Sequence, residues 1–256
     1  MAQLQIPFII GHRGSPLRQP ENTTASFAEA LHSGADGIEL DTQLTSDGFV
    51  VIMHDDAVDA TTNGSGKVND MLLDSFLSLK TRQRNSKIYT EAPPTLAETL
   101  DRFGAIARVV NVEIKPSEDT RLAKATAEII SAHPAQKNIL CSSFDETALQ
   151  FLQQEYPHLR RALLFPNSAI HGLIAGAVGQ IGCVYRAAQL GCEAIHPHWR
   201  LVNPRFITYA HSLDLRVTIW TVDDLAKAQS FAKWGADGII TNNPHLLSSL
   251  HDTYID

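Results

Sequence analysis

Short runs of β-branched and aliphatic residues alternate with amphipathic stretches along almost the whole chain, a pattern that predicts strands separated by helices. Strands are expected at 6–11, 37–44, 50–54, 109–115, 138–143, 160–165, 194–198, 216–221 and 238–241. Between them the apolar positions fall at helical spacing. Leu96, Leu100 and Phe103 lie at i, i+4 and i+7, while Leu122, Ala125 and Ile129 lie at i, i+3 and i+7, as do Leu225, Ala228 and Ala232. Thr95 and Glu98 have capping-box spacing, and Asn203-Pro204 and Asn243-Pro244 put a side-chain acceptor at the N-cap and proline just inside the helix. Gly34, Gly104, Gly191 and Gly235 mark helix ends expected to turn left-handed. The loop Gly34-Ala35-Asp36-Gly37-Ile38 recurs as Gly235-Ala236-Asp237-Gly238-Ile239, each copy joining a helix end to a strand. One loop solution used near both ends of the chain implies a repeated αβ unit.

Strands alternating with helices imply a parallel sheet with helices on its faces. About eight such units in 256 residues favour a closed (β/α)8 barrel of the TIM type over an open doubly wound sheet. No Gly-x-Gly-x-x-Gly fingerprint follows the first strand, which removes the dinucleotide-binding form of the open sheet. With no Pro/Gly/Ser-rich linker, residues 1–256 read as a single barrel domain.

Two segments break the rhythm. Only Thr45-Ser46-Asp47-Gly48-Phe49 separates 37–44 from 50–54, too little for a crossover helix, and Ser46-Asp47-Gly48 is turn chemistry. The pair is expected to be an antiparallel hairpin extending the second barrel strand, with Val51–His54 opposite Asp41–Leu44. The second break, 56–93, is too long for an ordinary βα loop. It is expected to be an inserted, cap-like segment over the barrel mouth, with one helix near Asp70–Leu79.

Lys+Arg number 21 against 28 Asp+Glu, a formal net charge of −7, and no basic run occurs. That balance argues against nucleic acid or an anionic membrane as the main partner. The apolar run Ile6 to Ile10 is too short for a membrane span or a secretory core, and Cys141, Cys183 and Cys192 are too scattered for a disulfide framework or a zinc site. The expectation is a reduced, cytoplasmic protein. An acidic chain that handles a phosphate must supply positive charge locally.

The residues able to do so gather at the carboxyl ends of strands, where barrels of this type keep their chemistry. The first strand ends in His12-Arg13-Gly14. The second carries Glu39 and Asp41, two apart and so on one face. The hairpin strand ends in His54-Asp55, and strand 109–115 carries Glu113 and Lys115. Paired acids on an exposed strand would be only a solvated face. Here Ile38, Leu40, Ile52, Met53, Val112 and Ile114 surround them, so the acids must face the barrel interior or its mouth. Three buried carboxylates repel one another and lose hydration unless something pairs with them. One divalent cation ligated by Glu39, Asp41 and Glu113 resolves this, and an all-oxygen set suits Mg²⁺ or Ca²⁺ better than zinc. His12 and His54 beside it can exchange protons near neutral pH. Together with Arg13 and Lys115, this set suits attack at phosphorus better than at an acyl carbon. No nucleotide-binding loop or kinase signature set accompanies it.

His12-Arg13-Gly14, Pro20-Glu21-Asn22-Thr23, Glu39-Leu40-Asp41, Asp47-Gly48, His54-Asp55 and Thr61-Thr62-Asn63-Gly64 appear in that order. Val112-Glu113-Ile114-Lys115, Ser142-Ser143-Phe144, Trp220-Thr221-Val222 and Gly238-Ile239-Ile240-Thr241 follow. As a set covering nearly the whole chain, these motifs resemble the glycerophosphodiester phosphodiesterase family. The resemblance implies a barrel with an inserted segment, one active-site metal, and hydrolysis of glycerophosphodiesters to glycerol 3-phosphate and an alcohol. It implies that His12 and His54 are the acid–base pair, with His54 as the acid. Glu39, Asp41 and Glu113 would be the metal ligands, and Arg13 and Lys115 the phosphate contacts. It further implies that Trp220 and Phe144 line the glycerol side, while Glu21 and Asn22 brace the mouth and cap the next helix. Asn242 stands where the family usually has an aspartate, and Ala60 where an arginine often precedes Thr-Thr; both bear on substrate preference before activity. His196-x-His198 has the spacing of a ligand pair but no acid of its own, and is expected to support or touch the glycerol. His32, His133, His158 and His251 are expected at the surface.

Other readings make different demands. A lysophospholipid or phosphoinositide substrate needs an apolar entry, and 56–93 is mostly polar. A non-catalytic phosphate binder needs no pair of proton carriers. A sugar-phosphate isomerase would hold phosphate on glycine-rich loops after its last two strands, which here read Trp220-Thr221-Val222 and Thr241-Asn242-Asn243-Pro244.

Overall fold

All nine expected strands form, each within two residues of its expected ends, in a computed structural model that describes residues 6–166 and 177–253. They are β1 Phe8–Gly11, β2 Gly37–Leu44, β3 Val50–Ile52, β4 Val109–Ile114, β5 Ile139–Ser143, β6 Arg160–Phe165, β7 Ala194–Pro197, β8 Arg216–Ile219 and β9 Gly238–Thr241. β1 pairs in parallel with β2 on one side and β9 on the other, so eight parallel strands close into a (β/α)8 barrel. β3 alone runs antiparallel, on the part of β2 that rises above the barrel.

Each strand is buried on both faces, as a helix-wrapped parallel sheet requires. Alternate residues divide between two cores. Ile10, Val109, Leu140, Ala162, Ala194 and Ile240 fill the barrel interior, with Phe8 and Trp220 packed against them. Ile38, Leu40, Val110 and Val112 point outward under α1 Thr24–His32, α3 Leu96–Phe103 and α4 Arg121–Ala132. Ile195, Val217 and Ile239 point outward under α6 Ala177–Gln189, α7 Pro204–Ser212 and α8 Leu225–Trp234. α5 Glu146–Glu155 lies between these two groups, giving Ala148 and Leu152 to one outer core and Leu149 to the other.

The caps form as their spacing requires. Thr95 and Glu98 make the full capping box, and Asn203 accepts from the Phe206 amide. Asn243 does the same for Leu246 at α9 Pro244–Leu247. Three of the four helix-end glycines are left-handed, but Gly104 keeps φ −58°; there a side chain would collide with the Leu100 carbonyl and crowd His133 and Ala135. The repeated Ala-Asp-Gly-Ile loop performs the same task twice. Asp36 exchanges two hydrogen bonds with Ile9, its amide donating and its carboxylate accepting, and Asp237 does the same with Val217. Each aspartate thereby clamps the strand that precedes its own helix.

The hairpin forms, but its register is one residue away from the expectation that set Val51–His54 opposite Asp41–Leu44. Val50 faces Leu44, Ile52 faces Thr42, and Met53 rather than His54 stands opposite Asp41. Gly48 takes φ +88°, and the Thr45 amide reaches the Phe49 carbonyl, so only Ser46–Gly48 lie outside the ladder. His54 therefore sits just beyond the strand.

The segment 56–93 builds a satellite core from Val58, Val68, Phe76 and Leu79 against Val51 and Met53 of the hairpin. Its α-helix, α2 Leu73–Leu77, is shorter than the expected Asp70–Leu79. Asp70 ends a 3₁₀ turn, and the Asp47 carboxylate accepts from the Leu73 amide to fix the helix start. Residues 81–91 return over the loop after β1, where Glu91 accepts from the Ala25 amide and Gln83 donates to the Pro16 carbonyl. No helix among the described residues is long and apolar enough to cross a membrane.

Candidate active site

β1, β2, β4 and the hairpin deliver their polar ends to one small cavity of about 80 Å³ at the carboxyl end of the barrel. His12, Arg13, Glu39, His54, Glu113, Lys115, Phe144 and Trp220 line it, together with Asn111. Asp41, buried beside Glu39 and Glu113, completes the expected set.

Glu39, Asp41 and Glu113 are buried, and one carboxylate oxygen of each lies within 4.8 Å of the others. Burial, with Asp41 and Glu113 close by, pushes the Glu39 carboxyl well above the usual range; Glu113 is raised by burial and Asp41. Burial alone would raise Asp41 too, but Lys115 and Arg13 outweigh it and hold that carboxyl well below its ordinary value. The Lys115 ammonium lies 2.8 Å from Asp41 and 2.8 Å from Glu113. Two cations thus face three carboxylates, one positive charge short of balance. Oxygens this close can share one hard cation whose ligand distances are about 2.0–2.6 Å. The triad fits a divalent ion by donor type, spacing and unbalanced charge.

The loop after β1 supports this cluster. Arg13 and Asn22 both adopt left-handed backbone, φ +54° and +58°, which non-glycine residues hold only when other contacts enforce it. The contacts are on hand. The Arg13 amide donates to Glu39 at 2.8 Å, its guanidinium contacts Glu21 at 2.9 Å and Asp41 at 3.3 Å, and the Asn22 amide group donates to Asp41 at 2.7 Å. Glu21 braces the mouth as expected. Asn22 does not cap the next helix; Thr23 does, and Asn22 serves Asp41 instead.

Both imidazoles are held at Nδ1. His54 donates to Asp55 at 2.7 Å, because a carboxylate can only accept. At His12 the partner is the Asn242 side-chain oxygen, also at 2.7 Å. Asp223 settles the amide's orientation: it accepts from the Asn242 Nδ2 at 2.8 Å, so Oδ1 faces the ring. Each histidine therefore leaves Nε2 for chemistry. Burial, helped by Arg13, pulls His12 down to about 4, and burial lowers His54 as well. The His12 ring is therefore neutral at neutral pH, whereas the Asp55 carboxylate at His54 opposes the effect of burial and favours the imidazolium.

Trp220 and Phe144 meet edge to face at 5.5 Å in the wall of the same cavity. His196 and His198, expected to support or touch the glycerol, do not line the cavity; both contact Trp220, which does. His196 is fully buried under Trp220, whose indole donates to its carbonyl, and His198 packs on the Trp220 ring. His32 and His158 are exposed, whereas His133 and His251 are partly covered, His251 lying 3.1 Å from Asp36.

Sequence reasoning missed Asn111, Asp223 and Arg84. Asn111 carried a readable signal: a lone amide in an aliphatic strand, two residues before Glu113 and so on the same face. Asp223 and Arg84 lie in loops with no periodicity to betray them.

Comparison with known proteins agrees with this geometry. Residues 12–246 match the model of the Glycerophosphoryl diester phosphodiesterase family. A glycerophosphodiester phosphodiesterase of Caldanaerobacter subterraneus is 33% identical over 249 residues, covering 94% of this chain and 96% of that protein. One from Bacillus subtilis is 28% identical, covering 96% and 86%. Among solved structures, an Oleispira antarctica phosphodiesterase in complex with the product sn-glycerol-3-phosphate superposes with a TM-score of 0.82 at 27% identity, covering 96% of this chain and 97% of that one. A glycerophosphodiester phosphodiesterase from Agrobacterium tumefaciens gives 0.80 at 25% identity, covering 96% and 99%. With its family model spanning the barrel from His12 to Leu246, the chain belongs to the glycerophosphoryl diester phosphodiesterase family and is an enzyme of the phosphoric diester hydrolase class.

Proposed function

We propose that the site hydrolyses small glycerophosphodiesters, such as glycerophosphocholine or glycerophosphoethanolamine, to glycerol 3-phosphate and an alcohol. The observation that carries this reading is the pairing of two Nδ1-anchored imidazoles with a three-carboxylate cluster in one cavity. The relative that holds sn-glycerol-3-phosphate supports the choice of product.

Glu39, Asp41 and Glu113 would hold one Mg²⁺ or Ca²⁺, which when bound would neutralise charge on the non-bridging phosphate oxygens. Arg13 and Lys115 add positive charge at the same place and orient the diester. His12, neutral and partly buried, takes the proton of the nucleophile at Nε2; Asn242 keeps Nδ1 protonated so that Nε2 is the basic nitrogen. His54 delivers a proton from Nε2 to the departing alkoxide, and Asp55 stabilises the imidazolium that this role requires. Trp220 and Phe144 give the glycerol carbons an apolar wall and exclude water from that side. Retention in the cytoplasm belongs to this reading, because a soluble diester and a buried polar site need no membrane.

The test is a panel of glycerophosphodiesters and a lysophospholipid, assayed for released head-group alcohol, and for glycerol 3-phosphate from the small diesters, with Mg²⁺, with Ca²⁺ and with chelator. Release from the small diesters, lost in chelator, is expected. Preference for the lysophospholipid, or full activity in chelator, overturns the reading.

A further inference from the structure

We propose that Arg84, on the inserted segment, is a positioning residue for turnover, joining the His54–Asp55 pair to the Arg13–Glu21 pair. The proposal rests on the acid–base roles given above. The Arg84 guanidinium contacts Glu21 Oε2 at 3.0 Å through Nε, and Glu21 Oε1 at 3.1 Å through Nη2. The same Nη2 reaches Asp55 Oδ2 at 2.8 Å. Beyond those carboxylates, Asp55 Oδ1 accepts from His54, and Glu21 Oε1 accepts from Arg13, which itself leans on Asp41. One side chain from residues 56–93 thus sits at the middle of a chain running from the imidazole to the carboxylate cluster.

The segment is built to present it. Arg84 occupies a tight turn closed by the Ser86 amide on the Gln83 carbonyl, with Asn85 left-handed at φ +65°. Arg82, just before it, pins the turn by donating to the carbonyls of Asp59, Thr62 and Ser86. Gln83 ties the turn to Pro16 in the loop that carries His12 and Arg13. An arginine is needed because its planar fork addresses two carboxylates at once, whereas an ammonium is a point charge. Without it, Glu21 and Asp55, both within 3.1 Å of one nitrogen, repel each other, and Asp55 is pulled off the His54 ring.

The experiment uses the full chain with Mg²⁺ and glycerophosphocholine as the probe, and compares Arg84→Ala, Arg84→Lys, Asp55→Asn and the Arg84→Ala/Asp55→Asn double variant. Arg84→Ala should lower kcat by about 10-fold or more, the size that loosening a reacting group produces, with KM nearly unchanged. Arg84→Lys should recover only part. In the Asp55→Asn background the loss should shrink, because the two act through one ring. A raised KM at unchanged kcat would make Arg84 a substrate contact at the entrance and overturn the proposal. So would strictly additive losses, or wild-type kcat in Arg84→Lys, which also decides the matter if Arg84→Ala does not fold. His54→Ala separates this proposal from its premise. If His54→Ala stops turnover while Arg84→Ala does not, Arg84 alone is wrongly assigned; if His54→Ala leaves turnover intact, the acid–base reading fails first.

Discussion

Two histidines held at the same nitrogen by different acceptors are not equivalent. Asp55 favours the imidazolium of His54, whereas the neutral Asn242 oxygen leaves His12 as a base. Moving the carboxylate tests this. In the exchange Asn242→Asp with Asp223→Asn, total charge is kept but a carboxylate now faces His12, so its pKa rises from about 4. A higher pKa means the ring is protonated, and lost as a base, at a higher pH. The acidic limb of the kcat/KM profile should move upward, and an unmoved limb would detach His12 from that limb. A nitrophenyl ester separates the roles further, since a good leaving group needs no acid. His54→Ala should regain much of its rate on it and His12→Ala should not, each having lost about 10²–10⁴-fold on glycerophosphocholine. Equal recovery would overturn the assignment. The reacting residues were readable because strand ends announce themselves. Their partners were not: Asn242 lies 230 residues from His12, and no local pattern links such distant positions.

At the level of elements, strand identity followed from periodicity, while the hairpin register did not, because Val50, Val51, Ile52 and Met53 are apolar at every position and no alternation distinguishes two registers one residue apart. β8 and β5 contribute the aromatic wall. Trp220→Ala should raise KM for glycerophosphodiesters and leave a bis-aryl phosphodiester comparatively unharmed; equal losses on both would make Trp220 plain core. β7 supplies a different test. His196 is fully buried, neither ring nitrogen has a hydrogen-bond partner, and burial depresses it from 6.5 to about 3. Above pH 6.5 it is neutral whether folded or not. Below that, the unfolded chain takes up a proton that the folded one refuses, so stability falls as pH drops towards 3. By about pH 5 the loss is about 2 kcal/mol. Replacing His196 with Leu removes this titration, so urea unfolding at neutral pH and at about pH 5 should show a shallower decline than wild type. Equal declines would mean that the ring is protonated inside the barrel.

Over the whole molecule, the barrel was legible because eight strand–helix units repeat, whereas the insertion was legible only as an interruption. Its satellite core and the reach of Arg84 depend on where the hairpin places Val51, Met53 and Asp55, and no sequence period encodes that. The same long-range assembly makes the proposed metal a link across the fold. Glu39 and Asp41 come from β2 and Glu113 from β4, while Arg13 and Asn22 brace them from the loop after β1. An ion bound only by the folded arrangement stabilises it by about 2.7 kcal/mol at a hundredfold excess over Kd. Mg²⁺ or Ca²⁺ should therefore raise Tm, and chelator should lower it. Glu39→Gln isolates the cause. Its carboxyl is already driven towards the neutral form by burial and by the other two acids, so an uncharged isostere costs the metal-free fold little. The variant should melt at or slightly above the metal-free wild type, show almost no rise on adding the ion, and lose turnover with it. If Glu39→Gln kept the full metal-induced rise in Tm, the ion would be binding elsewhere, and the three carboxylates would have to be explained by Arg13 and Lys115 alone.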